Sequence, residues 1–226
     1  MREERRTLTE DEFWDAIATT VVDPAPKPAP AGVRLGRLER HLQQRSLTDL
    51  VDFQRWMDHT RRRVDTYDHW AAAEVIFGVH VSGDSFFYFC AWLIGLGRDQ
   101  FDAVADDPDA LADAPEVRRL RGSSADWTDD EFPGLEELAY VAPRVHEART
   151  GIADSLDDAL RAQGCLPLSD PAPSGTPWDP TEPALRRTRL PRLGTRFPVP
   201  ESEDRGRLPA HMLARYRAET GENESG

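Results

Sequence analysis

The 226-residue chain has little of several things, and each scarcity narrows its chemistry. It holds two cysteines, Cys90 and Cys165, with no CxxC partner, so neither a disulfide framework nor a zinc signature is present. No HxxxH or HExxH spacing occurs, no serine sits in a G-x-S-x-G elbow, and no glycine-rich phosphate loop appears. No cofactor and no metal are expected. The longest apolar run, Phe86–Gly97, has 12 residues, too short to span a bilayer, so no membrane association is expected. The opening MREERRTLTEDEF lacks the apolar stretch of a signal peptide, which makes a cytoplasmic protein the default. Lysine is almost missing: Lys27 stands alone among 28 basic residues. The formal charge of −13 opposes a phosphate backbone, so nucleic acid is a poor partner.

What is present reads as helix. Thr9 and Glu12 form a capping box before Phe13, Trp14 and Ile17. The stretch Pro24–Pro30 is expected to be an extended linker. A short helix is expected over Leu35–Gln44. Another starts near Ser46 or Thr48, with Leu50, Phe53, Met57 and Val64 at helical spacing and Asp52, Arg55, His59 and Arg62 facing away. Arg61, Arg62 and Arg63 in its last turns suit the negative end of the helix dipole. Tyr67–Gly78 reads as a helix capped by Thr66 or Asp68. Ser85–Leu96 is apolar on nearly every side and is expected to be buried all round, at the centre of the fold. Asp99–Ala105 and Asp109–Ala112 add a helix and a turn. Pro133–Ala148 is expected as a helix interrupted at Pro143, and Asp154–Gln163 as a shorter one ending at Gly164. From Pro167 prolines recur every few residues. The chain there is expected to be extended or partly disordered, with a last short helix over Leu208–Ala218.

Trp70-Ala71-Ala72-Ala73, Val75-Ile76-Phe77-Gly78, Asp84 through Phe89, Trp92-Leu93-Ile94, Gly97-Arg98 and Asp107 through Ala112 follow one another at fixed distances. With the Phe13-Trp14 helix, this pattern resembles an uncharacterised bacterial family, domain of unknown function 4240, in an actinobacterial-type member. The resemblance covers roughly residues 10–115. It implies an all-α core and carries no agreed activity. In the family pattern two acids often precede the Phe helix and an arginine often follows the Tyr-Phe pair. Here Gly83 and Cys90 take those places, which implies the loss of part of a polar site.

The expected architecture is therefore a compact multi-helix domain around a buried central helix, with an extended Pro/Arg-rich C-terminal tail. Its segments are a helical core over 1–115, further helices packed on it over 116–166, and the tail over 167–226. Polar residues inside the apolar stretches are the ligand-binding candidates: Trp70, Glu74, His80, Asp84 and Arg98. Trp70 and Glu74 share a helix face, and Glu74 with His80 would make an acid/base pair or a weak metal site. Asp84 and Arg98, some 14 residues of helix or about 20 Å apart, have structural roles open to them as cap and carbonyl clamp. Cys90 lies mid-helix among aromatics and is a poor nucleophile. Arg186, Arg187, Arg189, Arg192 and Arg196 reverse the local charge within 184–200. They read either as an arm for an acidic protein partner or as a segment folded onto the chain's own acidic surface. Against the family pattern, the missing second acid and missing arginine favour a non-enzymatic interaction or regulatory protein. The alternative is a small enzyme or ligand-binding protein using Glu74 and His80.

Overall fold

In the computed structural model, residues 7–21, 29–166 and 170–198 are described. They form α-helices and two short 3-10 helices, with no β-strand among them. None of these helices is long and apolar enough to cross a membrane. The chain divides into two compact units, each assembled from three separated stretches. Unit 1 comprises Met1–Thr66, Gly83–Asp106 and Gly134–Ala172; unit 2 comprises Tyr67–Ser82, Asp107–Pro133 and Pro173–Gly226.

Unit 1 holds α1 (Glu10–Ala18), α2 (Ala31–Gln43) and α3 (Leu47–Val64). In chain order, α4 (Tyr67–Phe77) belongs to unit 2, and unit 1 resumes with α5 (Gly83–Gly95) and α6 (Arg98–Asp106). The capping box at Thr9 and Glu12 is formed as expected, and a second one, Ser46 with Asp49, starts α3. On α3 the apolar stripe faces inward, but Asp52 does too, against expectation. Its carboxylate accepts the Leu8 amide at 3.1 Å and meets Arg55 at 3.3 Å, which offsets its burial. Gly97, at φ +88°, turns the chain from α5 into α6. A Cβ there would lie 2.8 Å from the Val21 side chain, so the position requires glycine twice over.

The core of unit 1 is aromatic. Phe13 packs on Phe53 at 5.1 Å and Trp14 on Phe101 at 5.3 Å between ring centroids. Phe86, Phe89, Leu93 and Ile94 of α5 are fully enclosed. The burial is less even than the all-round apolar pattern predicts, since Phe87, Tyr88 and Trp92 are half-buried. Two helices complete the unit, α8 (Glu136–Thr150) and α9 (Ser155–Ala162), and α8 packs on α2, α3, α5 and α9. Pro143 does not interrupt α8. It removes one backbone hydrogen bond, while Leu138, Val141, Ala142 and Val145 bury the face that holds the helix in place.

Unit 2 contains α4, the 3-10 helix Pro108–Asp113, α7 (Pro115–Arg119) and the 3-10 turn Ser124–Asp126. Gly78 takes φ +71° just past α4, and its amide bonds the Glu74 carbonyl. Phe77 stacks on Phe132 at 4.8 Å, and the Ser124 hydroxyl donates to the Phe77 carbonyl at 2.6 Å. Asp68 accepts from Trp178 Nε1 at 2.7 Å and pairs with Arg189 at 2.7 Å.

The tail departs from expectation where it is described. Residues 183–196 form α10 (Pro183–Arg189) and α11 (Pro191–Arg196) rather than extended chain. Each proline occupies the first turn of its helix, where its missing N–H is no loss and its fixed φ favours the helix. Leu190 and Leu193 are buried. The anchor Val199, the helix expected over Leu208–Ala218 and most of the Pro24–Pro30 linker lie outside the described residues.

Candidate functional site

Of the five residues singled out by sequence, the structure brings together Glu74 and His80. The Glu74 carboxylate meets His80 Nδ1 at 2.7 Å and accepts the Val81 amide at 3.2 Å. His80 is 87% exposed, so the pair clasps the turn after α4 at the surface. Trp70 is half-buried in the same unit. Asp84 and Arg98 belong to unit 1. Asp84 sits exposed in the first turn of α5, where its charge suits the helix dipole. Arg98 meets Asp11 at 2.5 Å and Glu10 at 3.6 Å, anchoring the start of α1. Burial and the nearby Asp65 push the Cys90 thiol up, so it stays protonated beneath the Val64 carbonyl. Among the described residues no group of three or more His, Cys, Asp or Glu could hold a metal.

The C-terminal arginines meet the chain's own groups. Arg192 reaches three carboxylates at once: Asp107 at 2.6 Å, Asp109 at 3.0 Å and Asp113 at 2.6 Å. The amides of Arg192 and Leu193 also donate to buried Asp109. Arg189 pairs with Asp68 and lies over the Trp178 ring. Arg196 donates to the Val117 and Leu120 carbonyls. Arg186 is buried with its flank against Gly194. Arg187 is exposed.

The distinctive site lies in unit 1 and turns on Arg61. This arginine continues the buried stripe of α3, four residues past Met57 and three before Val64. It is 5% exposed, and its Nε and Nη2 have no hydrogen-bond partner. Its guanidinium lies 4.3 Å from the centroid of the Phe87 ring, which fixes it by a cation–π contact. Burial pulls its pKa down, and the attraction of Asp58 and Asp65 offsets only part of that. A buried guanidinium short of acceptors is costly, which makes it a feature that calls for a role.

Arg61 lines a cavity of about 310 Å³ between α3, α5, α8 and α9. One wall is apolar: Met57, Phe87, Ala91, Ile94, Leu156 and Leu160. Gln54, Asp58, Tyr140, Glu147 and Asp154 supply polar groups. Ala139 and Pro143 line it as well. Proline has no N–H for the carbonyl four residues back, so Pro143 leaves the Ala139 carbonyl without its usual helical donor. At the lip, Ser155 Oγ lies 2.7 Å from His146 Nδ1 and 2.9 Å from Thr150 Oγ1, tying the α8–α9 turn together. Burial lowers the His146 pKa, helped by Arg149, which favours the neutral ring. In that turn Asp154 takes φ +54°, the one left-handed non-glycine among the described residues. A broader cleft of about 670 Å³ runs past Trp56, His59 and Cys165. Its Asp52 and Trp56 are already bonded to Leu8, so it lacks an equivalent uncompensated group.

Sequence reasoning missed this site because Arg61 stands in a run of three arginines that suits a helix end. The signal was its register: Arg61 falls on the Phe53–Met57–Val64 face and its two neighbours do not.

The family described as "Protein of unknown function (DUF4240)" matches residues 8–148, more than half of the chain, and the chain belongs to it. Neither the curated proteins nor the solved structures contain a match.

Proposed function

We propose that this DUF4240 member is a non-enzymatic regulatory module that holds a small organic anion in the Arg61 cavity. The observation that carries this reading is Arg61, a buried arginine with two nitrogens unpartnered among the described residues, in the wall of a cavity of about 310 Å³. A carboxylate accepts the paired donors of a guanidinium and offsets the charge that the fold leaves uncompensated. We place the protein in the bacterial cytoplasm, in keeping with its two unpaired cysteines. The reading in which the C-terminal arginines hold an acidic partner has weaker support, since Arg189 and Arg192 already meet the chain's own carboxylates. A site at Glu74 and His80 is weaker too, because the pair is engaged in a surface turn.

The test is thermal shift and calorimetry of the full chain with linear monocarboxylates and with inorganic phosphate. Binding by the native protein that Arg61→Met abolishes supports the reading. No shift with any of these probes sinks it.

An enzymatic reading has one observation in its favour, the Ser155–His146 contact at the cavity lip. Covalent labelling of Ser155 by a fluorophosphonate, lost in Ser155→Ala, would establish that reading in place of the first.

A further inference from the structure

The cavity carries both signs of charge, and this says more about its occupant. Against one buried guanidinium stand the carboxylates of Asp58, Glu147, Asp154 and Asp157. Asp58 accepts from Gln54 and Asp157 lies 3.7 Å from Arg161, so those two are partly satisfied. Glu147 and Asp154 are exposed at the rim of the cavity and make no ion pair among the described residues. A simple anion entering this space would gain Arg61 and meet repulsion from the carboxylates around it. A ligand that also carried a cation would turn that repulsion into attraction. Ala139, whose carbonyl Pro143 deprives of its helical donor, lines the same cavity. Asp154 is held in a left-handed conformation, a strain that persists where surrounding structure fixes it.

We infer that the occupant is a small zwitterion, an ammonium carboxylate of amino-acid size. Its carboxylate is held by Arg61, and its ammonium by Glu147 and Asp154. This rests on the anion reading given above and specifies its ligand. The size follows from the cavity: about 310 Å³ stands at the lower end of ligand sites, which suits a compact metabolite. The apolar wall of Phe87, Ile94 and Leu156 would bury a short carbon skeleton between the two charged ends.

The experiment titrates the full chain with matched sets of probes: the common α-amino acids and the linear ω-amino acids from glycine to aminohexanoate, then the carboxylates and the primary amines of the same carbon skeletons. At least one zwitterion should bind about tenfold or more tightly than both of its matched controls. The double variant Glu147→Gln, Asp154→Asn should lose that preference and, with the repulsion removed, bind the plain carboxylate more tightly than the native chain does. Arg61→Met should lose both, with Arg61→Lys as a second variant should the first fail to fold. If plain carboxylates bind as tightly as the zwitterions, the present inference falls and the anion reading survives. If plain amines bind as tightly, or if nothing in the panel binds, both fall.

Discussion

Arg61 of unit 1 and Arg192 of unit 2 stand in opposite surroundings. In unit 2, Arg192 is 44% exposed and surrounded by three carboxylates, and Arg189 has Asp68. In unit 1, Arg61 is enclosed and rests on an aromatic face, and its Nε and Nη2 have no hydrogen-bond partner among the described residues. Arg186 shows that burial alone does not make a site: it too has two unpartnered nitrogens, but its flank packs on Gly194. Burial together with open space is what separates Arg61. Arg192 ties together three carboxylates of unit 2, whereas Arg61 of unit 1 is held against the Phe87 ring.

The largest test of this contrast is truncation after Gly164. Unit 2 would lose Leu190, Leu193 and the donors around Asp109, and a loss of at least about 4 kcal/mol is expected in a denaturant melt. A 1–164 fragment with full-length stability would show that the arginine-rich segment is dispensable.

In unit 1 the core carries the stability. Phe89 is fully buried, and Phe89→Ala should cost about 3–5 kcal/mol. A change below about 1 kcal/mol would mean that α5 is not the core of this unit.

Arg61→Met should move stability the other way. Replacing an enclosed, unpartnered guanidinium with an apolar side chain is expected to stabilise the fold by about 1 kcal/mol or more, read as a higher melting temperature. Destabilisation by that variant would instead assign Arg61 a structural role.

The smallest effect concerns pH. The folded pKa of His146 lies below its ordinary value of 6.5 because of burial and Arg149. The unfolded chain therefore binds more protons as pH falls through that range, and stability should decline below about pH 6.5. His41, lowered mainly by burial, acts in the same direction. His146→Gln should flatten the slope between pH 7.5 and 5, about the window in which histidine titrates.

Much of the secondary structure was legible because it is set by near neighbours. The capping box at Thr9, the stop at Gly78 and the turn at Gly97 depend on residues a few positions apart, and each appears where the spacing puts it. Pro143, Pro183 and Pro191 were misjudged because a proline in a first turn favours a helix, and one inside a helix is tolerated when the rest of that helix is buried. The site was harder to see. The carboxylates that meet Arg192 lie about 80 residues away in the chain, and no local pattern encodes that pairing.

By itself, then, the sequence determined the helical class, the apolar stripes of the main helices and the absence of familiar catalytic motifs, because these follow from periodicity and residue type over one or two turns. Only the tertiary structure decided which charges were compensated. Desolvation depends on what packs around a group from every direction, and the walls of the Arg61 cavity come from four helices spread between Gln54 and Leu160.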